Sequence, residues 1–305
     1  MYFYWNYFSK KHFMKSLLLL CVLCTISYFS IAQSHGTVNE HEVIKSNILH
    51  KDVAYSVYLP FDYNTSNRFY PVVYLLHGYT DDQTGWIQFG EINSYADKAI
   101  AEGTIPPMII IMPNADSSWY INSFDGKENY EDFFIKELMP AVENKYRIKA
   151  QKRFRGIAGL SMGGYGSLIY AMKYPNLFAA AAPLSAAVLT DDELVNLPQN
   201  SWDNTFARLY GNNLSGKQRL NNAWYQNSIL KIVENTPADT LKKVRYWIDC
   251  GDDDFLTKGN CMLHIALIDK KIPHEYRVRD GAHNWTYWRS GITDALQFIG
   301  NSFHQ

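Results

Sequence analysis

The residues best placed to do chemistry are a serine, a late histidine and an acidic run between them. Gly159-Leu160-Ser161-Met162-Gly163-Gly164 sets a serine among glycines, after an apolar run and before a stretch with helical spacing. A serine at a tight strand-to-helix turn lifts its Oγ above the sheet edge, and its neighbours must be small because strand and helix approach closely there. Such a hydroxyl attacks an acyl carbon when a base takes its proton. The reaction also needs two backbone N–H donors aimed at the oxygen on which charge develops. The amide of Met162 is one candidate. The other is the amide of Tyr79 in His77-Gly78-Tyr79, in the loop after the apolar run that ends at Leu76. His77 itself reads as a brace for that loop, because in this chain order the base comes late.

Asp280-Gly281-Ala282-His283-Asn284-Trp285 supplies the late histidine, just after the last expected strand. A histidine there can accept the Ser161 proton and return it to a leaving alcohol. The others are poorer candidates. His35, His41 and His50 are early, His264 falls in a helical stretch, His274 precedes a strand and His304 is terminal. The acid that orients the imidazole belongs between Ser161 and His283. Asp249-Cys250-Gly251-Asp252-Asp253-Asp254 offers several, and spacing alone does not choose among them.

These residues need a sheet to position them. Val53–Leu59 alternates like a half-buried strand, while Pro71–Leu76 and Met108–Met112 are continuous apolar runs suited to burial on both faces. Helical spacing follows over 129–146, a strand at Phe154–Gly159, a helix over Gly163–Lys173, and strands at Phe178–Leu184 and Tyr246–Cys250. A helix near Lys258–Lys270, a strand at Glu275–Val278 and a helix near Ser290–Phe303 end the series. Strands alternating with helices predict an α/β fold, a mostly parallel central sheet with helices on both faces. The segment from about 190 to 238 breaks the rhythm. It is polar and Asn-rich, and reads as an insertion that forms a lid or one wall of a cleft.

The N-terminus carries an address rather than a structural element. Lys15, the apolar run Leu17–Leu23 and Ser30-Ile31-Ala32 make a signal peptide over 1–32 cleaved after Ala32. Met14 is the preferred initiator, and residues 1–13 read as an over-extended start. One domain, 33–305, follows. The expectation is a secreted or periplasmic protein. Of the cysteines beyond Ala32, Cys250 and Cys261, the two pair in an oxidising compartment or Cys250 is a small buried residue at a strand end. A net charge of -1, with 19% of residues charged, offers no basic face for nucleic acid or anionic lipid. No metal-ligand spacing is present, and no cofactor is expected.

His77-Gly78, the Gly159–Gly164 run, Asp249-Cys250-Gly251 with its acidic run, and Gly281-Ala282-His283-Asn284-Trp285 together resemble an esterase family of α/β-hydrolases. That family includes S-formylglutathione hydrolase, tributyrin-type esterases, feruloyl and acetyl-xylan esterases and the mycolyltransferases. The resemblance runs from about Val53 to Phe303. It implies the α/β-hydrolase fold and a Ser161, Asp254, His283 triad, with Asp253 the alternative acid, and it carries the second oxyanion amide to Tyr79. By the same resemblance, exported members often remove feruloyl or acetyl groups from plant polysaccharides. Trp86 and Trp285 are then candidate ring contacts, alongside Trp119, Trp202, Trp224 and Trp288. The other readings are a short-chain carboxylesterase, an S-formylglutathione hydrolase-like thioesterase, an acyltransferase of the mycolyltransferase type and a non-catalytic carbohydrate-binding relative.

Overall fold

Short runs that are apolar at every position suit strands covered on both faces, and the computed structural model buries them so. It describes residues 35–303, and the expected leader at 1–32 lies outside the described residues. Eight strands form one sheet: β1 (Thr37–Ser46), β2 (Lys51–Leu59), β3 (Val72–Leu76), β4 (Ile109–Pro113), β5 (Arg155–Leu160), β6 (Ala180–Leu184), β7 (Arg245–Gly251) and β8 (His274–Arg279). Their spatial order is β1-β2-β4-β3-β5-β6-β7-β8. The β1/β2 and β2/β4 pairs are antiparallel and all later pairs are parallel.

Successive strand side chains enter opposite layers, as a period of two requires. Val72, Tyr74 and Leu76 of β3 join one core, and Val73 and Leu75 join the other. The first core is covered by α2, by α3 (Met162–Lys173) and by α4 (Thr257–Asp269). Helix α2 runs through Tyr130–Phe133, a π turn at Phe134–Leu138 and Met139–Lys145. The second core is covered by α1 (Ile92–Ala101) and α5 (Trp285–Ser302), whose Ile92, Ala96, Ile292, Leu296 and Ile299 point at the sheet. Among the described residues, no helix is long and apolar enough to cross a membrane.

Strand β1 and helix α1 were not expected from the sequence. Strand β1 has polar residues on both faces and sits at the sheet edge, so no apolar periodicity marks it. Helix α1 starts after Glu91, which has φ 51° and makes no side-chain cap. Helix α5 begins earlier than expected, at Trp285, because the Asn284 side chain caps it by accepting from the Tyr287 amide at 3.0 Å.

The polar segment between β6 and β7 folds into short helices whose buried side chains, Leu194, Trp202, Phe206 and Trp224 among them, join the first core. Trp202 is fully buried under the Arg219 guanidinium, 4.9 Å from its ring. That guanidinium also donates to the carbonyls of Leu194 and Leu197 and to Gln199 Oε1. The segment packs on the loop after β4: Phe206 lies 4.8 Å from Trp119, and Arg208 bonds Glu128 and Ser117.

Candidate active site

All the chemistry-bearing loops leave the carboxyl ends of parallel strands, where an open α/β sheet forms its crevice. His77 follows β3, Ser161 follows β5, Ser185 follows β6, Asp254 lies three residues after β7 and His283 four after β8.

Ser161 has φ 53° and ψ -116°, a conformation that strains any residue with a Cβ. Bonds on both sides hold it there. Its amide donates to Leu184 O, and its carbonyl accepts from the Tyr165 and Ala187 amides, all at 3.0 Å. The flanking glycines are steric necessities. A Cβ at Gly163 would land on the Leu76 carbonyl, and one at Gly159 would lie 2.6 Å from the Gly163 backbone. Met162 is the first residue of α3, so its amide is one of the first-turn donors that the helix leaves without an internal partner. A Cβ at Gly78 would lie 3.7 Å from Ser161 Cβ, which brings the Tyr79 loop to the same side of the elbow.

His283 Nε2 lies 2.9 Å from Ser161 Oγ, and its Nδ1 lies 2.8 and 3.0 Å from the two oxygens of Asp254. A carboxylate only accepts, so the network places a proton on Nδ1 and leaves the Nε2 lone pair facing the serine hydroxyl. Burial works against the charge on Asp254. Hydrogen bonds from His283 and the Leu256 amide, helped by the nearby Ser185 hydroxyl, outweigh it and hold the carboxyl below the usual range. Asp253 is exposed; its amide bonds Gly281 O, and its carboxylate sits in a surface group with Asp252 and Asp280. Asp249 is wholly buried and engaged by the Arg279 guanidinium at 2.8 and 2.9 Å. That pair ties the strand that precedes Asp254 to the strand that precedes His283.

Sequence reasoning missed Ser185, Trp288 as its partner, and Phe255. Ser185 has φ 45°, its amide bonds Asp249 O, and its hydroxyl accepts from Trp288 Nε1 at 3.0 Å and helps keep the Asp254 carboxyl ionised. The signal was positional: a serine directly beyond an inner strand, one strand over from Ser161. The aromatic expectation needs correction. Trp86 is 1% exposed, donates its indole N–H to Leu76 O at 2.9 Å and packs edge-on to Trp285, so it is a core brace and not a ring contact for substrate. Trp119, Trp202, Trp224 and Trp288 are buried as well. Trp285 is half-buried, against Trp86, Phe89 and Trp288. Cys250 is buried, its thiol pushed up to about 12 chiefly by burial, and Cys261 is a second free thiol beside Tyr276 OH.

His77 is buried. Its Nε2 accepts from the Ala115 amide at 2.9 Å, so its Nδ1 carries the proton donated to Gly78 O at 2.8 Å. It thus ties the β3 loop to the β4 loop as a neutral ring, and burial lowers its pKa. The unfolded imidazole takes a proton near 6.5, the folded one only at lower pH. The folded state then binds fewer protons, and stability falls as pH drops below about 6.5. The depressed Asp254 carboxyl acts in the same direction, but only below about 4. His77→Asn is expected to lower Tm at neutral pH and to flatten the decline in Tm between about pH 7 and 5. Thermal melts at both pH values check this, and an unchanged slope would remove the role.

A family model described as "Putative esterase" matches residues 46–299. A curated esterase of Mycobacterium tuberculosis strain H37Rv is 34% identical over 245 residues, covering 75% of this chain and 52% of the relative. The chain therefore spans about half the length of that protein. An acetyl esterase of Caldicellulosiruptor saccharolyticus is 25% identical over 234 residues, 74% of this chain and 82% of its own. A solved structure of a ferulic acid esterase matches with TM-score 0.77 at 32% identity, covering 88% of this chain and 99% of that one. The fold, the elbow and the family match agree: this chain belongs to the esterase family of α/β-hydrolases.

Proposed function

We propose that the protein hydrolyses carboxylic esters through an acyl-enzyme, with Ser161 as nucleophile, His283 as general base and Asp254 as the acid that orients it. The observation that carries this reading is the continuous hydrogen-bonded relay from Asp254 through His283 to Ser161 Oγ. In the first half-reaction Oγ bonds to the acyl carbon while Nε2 takes its proton. The Met162 and Tyr79 amides stabilise the oxyanion, and the imidazolium, held by Asp254, gives its proton to the leaving alcohol. A water then repeats the sequence on the acyl-enzyme, with His283 again the base.

Feruloyl or acetyl groups on plant polysaccharide are the proposed substrates. The support is the likeness to an acetyl esterase and to a ferulic acid esterase, together with a leader-like segment at 14–32 that fits export. Purified protein from Gln33 onward is expected to release ferulate from methyl ferulate or acetate from acetylated xylan. Whichever of the two is released, that activity should match or exceed the one on p-nitrophenyl butyrate in kcat/KM. Free hydrolysis of short aliphatic esters, with neither ferulate nor xylan acetate released, would leave a short-chain carboxylesterase. A product in which the acyl group appears on an added sugar acceptor would make it a transferase.

A further inference from the structure

One aromatic ring near the site stands in water. Phe255 is 74% exposed, the most exposed large hydrophobic residue among those described, although it directly follows the buried Asp254. Its ring centroid lies 4.5 Å from that of His283, whose imidazole meets the buried Trp288 edge-on at 4.9 Å. The imidazole therefore has a packed inner neighbour and an outer neighbour that nothing covers among the described residues.

The reaction itself says what comes to that side. If the site hydrolyses esters as proposed above, Nε2 hands its proton to the leaving oxygen, so that oxygen lies within hydrogen-bond reach of Nε2. The carbon frame attached to it then comes within van der Waals reach of the ring flanking the imidazole. On the same loops, which follow β7 and β8 and carry Phe255 and His283, the exposed carboxylates of Asp252, Asp253 and Asp280 have oxygens within 4.8 Å of one another. The first is held in place by the Gly281 and Asp253 amides. An apolar platform on loops that also present exposed acceptors suits a ring with an apolar C–H face and hydroxyl donors at its edge. A long alkyl alcohol would gain from Phe255 but would have to desolvate the carboxylates without pairing them.

We propose that Phe255 is the platform for the leaving alcohol and that this alcohol is a sugar unit, a pyranose or furanose stacked on the phenyl ring with its hydroxyls toward the aspartates. Phe255 then sets alcohol specificity, leaving the acyl group to other parts of the cleft.

The test compares methyl ferulate with a feruloylated arabinose, which share an acyl group and differ in the alcohol. Phe255→Ala is expected to lose roughly tenfold more kcat/KM on the sugar ester than on the methyl ester, mainly through KM, the size of one stacking contact. Phe255→Leu, apolar but not aromatic, should lose nearly as much, and Phe255→Trp should recover the parent's preference. Equal losses on the two esters in both the Ala and Leu variants, or a Trp variant no better than Ala, overturns the platform. Binding separates this from failure of the hydrolysis reading. In a Ser161→Ala background, titration of the same two esters should show Phe255→Ala weakening the sugar ester at least fivefold more than the methyl ester. Identical weakening overturns the proposal even if the parent protein cleaves neither ester.

Discussion

Ser161→Ala is expected to lower kcat/KM for p-nitrophenyl acetate by at least ~10⁴-fold, with residual turnover near that of the folded protein lacking any nucleophile. The expectation rests on Oγ being the one atom of the residue that meets His283 Nε2, at 2.9 Å. The backbone at this position makes a second readout available. With φ 53° and ψ -116°, Ser161 pays strain that alanine keeps, because the clash involves Cβ and not Oγ. Glycine removes it. Relief of strain at such a position is worth about 1–3 kcal/mol, against about 0.4–1 kcal/mol for the larger unfolded-state entropy of glycine. Ser161→Gly should therefore be inactive like Ser161→Ala and melt at a higher temperature than it. Activity retained in both variants would remove Ser161 from the mechanism. Equal melting temperatures would mean the elbow is relaxed and its geometry set by something other than stored strain.

The same elbow explains why much of the centre of the fold was legible. Strands β3, β4 and β5 are apolar at nearly every position because helices cover them on both faces, and that constraint is written residue by residue. The glycines around Ser161 are legible for a related reason: backbone meets backbone there, and only one residue type fits. Strand β1 was opaque because an edge strand needs no apolar face, and α1 because nothing in its first turn announces a start. Tryptophan misled in a different way. Trp86 and Trp285 look alike as residue types, yet Trp86 spends its indole N–H on Leu76 O deep in the second core while Trp285 stays half-exposed. Ser185 and Phe255 carry no motif; Ser185 is marked only by its position beyond an inner strand, and Phe255 only by following Asp254. The meeting of Ser185 with Trp288 and of Phe255 with His283 arises only when β6, β7 and β8 lie side by side.

Asp254 is where spacing left a choice and geometry bears on it. Asp254→Asn is expected to cut kcat on p-nitrophenyl acetate by about 10⁴-fold, and by at least ~100-fold more than Asp253→Asn. The carboxylate of Asp254 accepts the Nδ1 proton through both oxygens and is pinned by the Leu256 amide at 2.9 Å, so its orientation is fixed before any substrate arrives. An asparagine held by the same contacts turns its NH₂ toward Nδ1. A neutral imidazole then moves its proton to Nε2, the nitrogen facing Ser161, which can no longer take the hydroxyl proton. The charge matters too, since the imidazolium formed during attack would face a neutral amide. Asp253, one residue earlier, is exposed and among other carboxylates, where water screens its field at His283. Its loss should cost little through the imidazole. Rate measurements on the two variants, with Tm to confirm folding, decide the matter: a larger loss from Asp253→Asn would require the β7 loop to shift by one residue during turnover and would leave Asp254 as a structural anchor.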